Sequence, residues 1–104
     1  MFTYPAVYIR CTDGDTVRLI IDVGFHMTRR EAAYRLSRIN APELNTVEGK
    51  TAKTALEGYL AGKSLTATTY KSDAFGRYLV ELTANGENVS DWLVTAGHAV
   101  YKEY

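Results

Sequence analysis

Apolar residues fall on odd positions in two runs, "VYIRC" and "TVRLIIDV": Val7, Ile9 and Cys11, then Val17, Leu19, Ile21 and Val23. A period of two sends successive side chains to opposite faces, so each run predicts a strand with one buried face. Between them "TDGD" offers the local hydrogen bonds and positive φ of a tight turn, which makes the pair a hairpin. "AAYRLSRI" reads as a third strand, ended by Asn40 and Pro42. From Val47 the period changes, with Ala52, Ala55, Leu56, Tyr59 and Leu60 on one helical face; this predicts an amphipathic helix to Ala61, closed by Gly62. "SLTATTY" and "YLVELTA" are two more strands, followed by an Asn85-Gly86 turn. Val89, Trp92, Leu93 and Ala96 predict a second short helix, capped by Asn88 and stopped by Gly97.

The order βββαββα is mainly β. It predicts an OB-fold, a five-stranded Greek-key barrel with two short helices. At 104 residues the chain suits one domain over 1–104. No stretch approaches the ~20 apolar residues of a membrane helix, so no membrane partner is expected. The opening "MFTYPAVYIRC" has no basic segment ahead of an apolar block, which argues against a secretory signal and favours a cytoplasmic location, a mature secreted form being the alternative. Cys11, the only cysteine, reads as a small buried apolar residue. Twelve basic and twelve acidic residues cancel, so any anion site must be local. The stretch "RREAAYRLSR" holds four arginines against one glutamate, for which a solvated strand face is the plainer reading.

Three clusters carry candidate chemistry. Asp15 shares the odd parity of its strand's core-facing residues, which aims its carboxylate inward, where an isolated charge is costly and calls for an arginine or a hard cation. An EF-hand is excluded, because Val17 and Arg18 stand where that loop needs an oxygen ligand and a glycine. Asn40, Ala41, Pro42 and Glu43 combine an amide oxygen, a backbone carbonyl on a rigid turn and a carboxylate, a mixture that calcium accepts. In "DAFGR", Arg77 precedes a strand, and its guanidinium fork could share one phosphate with Arg35. His26 and His98 have no nucleophile partner at an identifying spacing and read as structural or surface histidines.

Taken in order, "DGDT", "YRLSRINAPE", "DAFGR" and "NVSDWLVTAGHA" resemble the staphylococcal nuclease family from Cys11 to about Ala99. The resemblance implies a calcium-dependent phosphodiesterase acting on DNA and/or RNA, with single strands as the favoured partner. Asp15 would then ligate the metal with the side chain of Asn40 and the backbone carbonyl of Ala41. Glu43 would reach the metal through water and act as general base, while Arg35 and Arg77 would stabilise the phosphorane-like charge. Asn40 replaces the family's usual aspartate, which removes a negative charge and admits other divalent cations. Phe75 stands where the staphylococcal enzyme has a tyrosine, and the connection from Gly24 to Glu31 is longer. The long C-terminal helix is missing, so core completion is expected from Tyr101 and Tyr104 or a second subunit; the oligomeric state is open, with a monomer favoured. Two other readings stand beside the enzyme: an OB-fold nucleic-acid-binding module weakened catalytically by Asn40, and a protein-interaction domain using the eight tyrosines.

Overall fold

The computed structural model describes residues 3–24, 27–28, 32–72 and 78–102. In chain order the elements are β1 (Thr3–Asp13), β2 (Thr16–Gly24), β3 (Met27–Thr28), β4 (Ala32–Leu36), β5 (Ile39–Asn40), α1 (Val47–Leu60), β6 (Leu65–Ser72), β7 (Tyr78–Ala84), β8 (Glu87–Asn88), α2 (Val89–Thr95) and β9 (Val100–Tyr101). Strand β1 pairs antiparallel with both β2 and β6, β6 pairs with β7, β7 runs parallel to β4, and β4 returns to β2. The circuit closes, and among the described residues no long strand is left with an open edge. This is the five-stranded OB-type barrel with two helices that the element order predicts.

The barrel interior is filled by Val17, Leu19 and Ile21 from β2, Tyr34 and Leu36 from β4, and Val80 and Leu82 from β7. Helix α1 adds Leu56 and Leu60 to the same core, and α2 adds Val89 and Leu93. Thr46 caps α1, its hydroxyl accepting from the Gly49 N–H at 3.0 Å. Asn88 caps α2 in the same way by accepting from the Asp91 N–H at 2.9 Å. Cys11 is free and buried, as its place in the strand pattern requires. No helix is long and apolar enough to cross a membrane among the described residues.

Two local expectations are corrected. In β1 the inward face over the first half is Tyr4, Ala6 and Tyr8, whereas Val7 is 57% exposed and Ile9 38%. A register shift lies between Tyr8 and Arg10, where one residue of β1 has no counterpart on β2; such a bulge reverses the parity, so that Cys11 turns inward. The third strand does not run through to Ile39. It breaks at Ser37 and Arg38, and Arg38 adopts a left-handed φ of 66° that a side chain seldom takes.

The break is held by a polar hub. Glu81 accepts from Arg38 Nε at 2.8 Å and Nη2 at 2.9 Å, from Ser37 Oγ at 2.7 Å and from Asn88 Nδ2 at 3.0 Å. Arg38 also reaches Asp91 at 3.2 Å and lies 5.9 Å from the centre of the Tyr101 ring. The Ser90 hydroxyl donates to the Ser37 carbonyl, and the Lys102 N–H to that of Arg38. Strand β5 then pairs with β9, Ile39 opposite Tyr101 and Asn40 opposite Val100. Tyr101 does not complete the core, being 56% exposed; it pairs with β5 and rests on the surface hub, and Tyr104, His26 and Phe75 lie outside the described residues.

Candidate active site

The first hairpin delivers Asp15 to the point where β5 ends. Its turn approaches closely: a Cβ on Gly14 would stand 2.8 Å from the Ala52 Cβ and 3.0 Å from the Ala41 Cβ. Asp15 is buried, and its Oδ2 accepts from the Ala41 N–H at 2.9 Å and lies 3.4 Å from Arg35 Nη2. Its Oδ1 accepts from the Thr16 hydroxyl at 3.3 Å, and its own N–H donates to Asp13 Oδ1 at 3.1 Å.

Burial pushes the Asp15 carboxyl up to about 6, and a hydrogen bond with Asp13 adds to the rise, against the Ala41 N–H and the Arg35 charge. Burial also presses Asp13 upward, but its hydrogen bonds with the side chain and backbone of Asp15 and with Thr16 outweigh this and leave it low. Two carboxylates two residues apart divide the cost of charging the site unequally. The inward carboxylate that the strand parity demands is therefore present, with an arginine as its partner.

Arg35 comes from the strand before the break and is buried. Its Nη1 donates to the carbonyls of Leu36 and Ile39, both at 3.1 Å, and its Nη2 to Asn40 Oδ1 at 3.0 Å. One guanidinium thus straps the two sides of the strand break and points the remainder of its charge at Asp15. Four of the residues singled out from sequence, Asp15, Arg35, Asn40 and Ala41, meet in a single hydrogen-bonded cluster. Two of the four arginines in the basic stretch, Arg35 and Arg38, sit in ion-pair networks, which replaces the solvated-face reading for them.

Glu43 follows three residues after Asn40 and is exposed. Its backbone is anchored, since its carbonyl accepts from both the N–H of Thr46 at 3.0 Å and the Thr46 hydroxyl at 2.6 Å. Arg77 lies outside the described residues. Strand β7 begins right after it with Tyr78, the register partner of Tyr34, whose chain neighbour is Arg35. A pocket of about 240 Å³ adjoins the cluster, between residues 40–42 on one side and 97–100 on the other, and His98 lines it. Nothing in the sequence marked His98 for this place, because a lone histidine after a helix carries no spacing signal.

No group of three or more His, Cys, Asp or Glu side chains gathers among the described residues. The cluster instead offers two hard oxygen donors beside the proline turn: a buried carboxylate whose charge is disfavoured by its surroundings and an amide oxygen. Chemically this set fits a divalent cation such as calcium, which would favour the charged Asp15, though with less negative charge than a second aspartate would provide.

A sequence profile described as staphylococcal nuclease homologue matches residues 33–104. The chain is 35% identical over 98 residues to an Escherichia coli protein named "Uncharacterized endonuclease", covering 92% of this chain and 60% of that protein. It is 36% identical over 70 residues to the "Probable staphylococcal-like nuclease CAN2" of Oryza sativa subsp. japonica, covering 67% of this chain and 19% of the rice protein. The chain thus spans about 60% of the length of the E. coli relative and a much smaller part of the rice one. The profile begins inside β4, but the E. coli match, at 92% of the chain, takes in the hairpin that presents Asp15. The matched length, together with a barrel of the expected topology, establishes that the chain belongs to the family of staphylococcal nuclease homologues.

Proposed function

We propose that this chain is a divalent-metal-dependent nuclease, with calcium as the preferred ion and single-stranded DNA or RNA as the favoured substrate. The observation that carries the reading is the convergence of Asp15, Arg35, Asn40 and Ala41, drawn from two strands and a turn, onto one point at the edge of the barrel. Phosphodiester hydrolysis needs a water attacking phosphorus in line, a base to take its proton, and positive charge around the oxygens as the bond to the leaving oxygen breaks. Glu43, exposed and two residues beyond Ala41 in the chain, is the base in this reading. Arg35 and Arg77 neutralise the charge that builds on the phosphoryl oxygens. A divalent cation held by Asp15, Asn40 and the Ala41 carbonyl would polarise a phosphoryl oxygen and offset its charge when bound.

Cleavage of single-stranded DNA and RNA, measured with calcium, magnesium, manganese and chelator, tests the reading. Metal-dependent product is expected, with Glu43→Ala losing about 10²- to 10⁴-fold as a removed base typically does. Equal turnover by Glu43→Ala would remove Glu43 from the mechanism.

A second reading is favoured by one contact. Arg35 donates to Asn40 Oδ1, so the amide oxygen intended for the metal is already hydrogen-bonded. A module that binds nucleic acid without cleaving it would follow if the metal cannot compete with that bond. Salt-sensitive binding without product, restored to cleavage by Asn40→Asp, distinguishes the two.

A further inference from the structure

The connection between the cluster and α1 is short, and it grips Glu43 by its backbone. Helix α1 begins at Val47, four residues after Glu43, with Thr46 as its cap. Thr46 does two jobs at once: its hydroxyl accepts from Gly49 N–H at 3.0 Å and donates to the Glu43 carbonyl at 2.6 Å, while its own N–H donates to the same carbonyl at 3.0 Å. Gly49, buried in the first turn of the helix, closes over that carbonyl. A Cβ at Gly49 would stand 1.9 Å from the Glu43 oxygen, 2.5 Å from the Glu43 carbonyl carbon and 2.9 Å from the Pro42 oxygen. All three obstacles are backbone atoms, so no rotamer change makes room; the turn itself would have to move. Gly49 is helical, which leaves this close approach as the reason for the missing side chain.

We propose that Thr46 and Gly49 are positioning residues for Glu43: the cap of α1 fixes the backbone of the 42–43 turn and thereby sets where the Glu43 carboxylate meets the attacking water. The proposal rests on the reading of Glu43 as the base. The physical ground is that a side chain exposed to solvent gains precision only from its backbone, and that of Glu43 is held by two donors and a roof. A displacement of about 1 Å at a reacting group costs on the order of 10²-fold in rate. A cap that tolerated such a displacement would leave a base present but misplaced.

The test compares Thr46→Val, Thr46→Ser and Gly49→Ala, alone and combined with Glu43→Gln, using full-length protein, a single-stranded DNA oligonucleotide and saturating calcium. Circular dichroism at the assay temperature establishes that each variant is folded. Thr46→Val and Gly49→Ala are expected to lower kcat by about 100-fold with KM within about threefold. Thr46→Ser, which keeps the hydroxyl, is expected to retain wild-type kcat. In the Glu43→Gln background, Thr46→Val should cost nothing further, because a residue acting through Glu43 has nothing left to position. Were Gly49→Ala unfolded, the Thr46→Val and Thr46→Ser pair would decide the matter alone. Wild-type kcat in Thr46→Val, or an equal loss from Thr46→Val with and without Glu43→Gln, overturns the positioning role and leaves Glu43 as base intact. Wild-type kcat in Glu43→Gln overturns the base itself, and the clamp with it.

Discussion

Glu81 is the carboxylate on which the strand break depends, and its replacement by glutamine measures how much the hub contributes. In the wild type its two oxygens accept four hydrogen bonds, from Arg38 Nε and Nη2, Ser37 Oγ and Asn88 Nδ2. Glutamine preserves the shape but removes the charge and turns one acceptor into a donor facing the Arg38 fork. The guanidinium side is 45% exposed, so solvent screening discounts that pair to about 1 kcal/mol despite its two-pronged geometry. The Ser37 and Asn88 bonds to a charged acceptor only 20% exposed contribute about 1 kcal/mol between them after competition with water. Glu81→Gln should therefore destabilise by about 2 kcal/mol at pH 7, a fall of roughly 10 °C in Tm for a chain this size. Acid should erase the difference. Burial pushes the Glu81 carboxyl up, but Arg38, Ser37 and Asn88 bind its charged form more strongly and leave it below its ordinary value of 4.5. Its contribution is thus complete above pH 4.5 and is lost as pH falls through the lowered folded value. Urea unfolding of wild type and Glu81→Gln at pH 7 and at a series of lower pH values reads both effects. A difference below about 0.5 kcal/mol at pH 7, or one that grows on acidification, refutes the hub as the device that holds the break.

Three further outcomes follow from other parts of the structure. Val7→Thr on the outer face of β1 should change stability by less than about 0.5 kcal/mol, whereas Ile21→Thr in the core should cost about 2 kcal/mol or more; thermal melts that rank them the other way contradict the bulge. Leu93→Ala, which empties a fully buried site on α2, should cost about 2–5 kcal/mol by urea unfolding. Asn40→Asp should bind calcium at least tenfold more tightly by calorimetry, since it returns a charge to the cluster, and unchanged affinity would place the metal elsewhere.

Where local periodicity decides the outcome, the chain could be read directly. Val17, Leu19 and Ile21 of β2 face the core because neighbours such as Arg18 and Asp22 resist burial. The change of period at α1 and the cap at Asn88 are equally local signals. Strand β1 misleads because Val7 and Ile9 are the more apolar set and share the parity of Cys11, whereas the bulge lets the rings of Tyr4 and Tyr8, with Ala6, cover the core over the first half. The break after Leu36 is invisible for a different reason: the partner that holds Arg38 in a left-handed conformation is Glu81, 43 residues away. For the candidate site, the residue types of the cluster were legible because strand parity and the proline turn constrain them. The strap that Arg35 makes across the break and the grip of Thr46 and Gly49 on Glu43 were not, because both depend on distances between elements.

That Asp15 and its neighbours hold a divalent cation required for cleavage is the heart of the proposed function. It is tested most directly by the rate of single-stranded DNA cleavage as calcium is titrated from chelator to saturation, for wild type and Asp15→Ala side by side. Expected are a saturable rise from a near-zero rate in wild type and a flat, near-zero line in the folded Asp15→Ala protein. Cleavage that persists in chelator, or an Asp15→Ala protein that cuts at the wild-type rate, would contradict it.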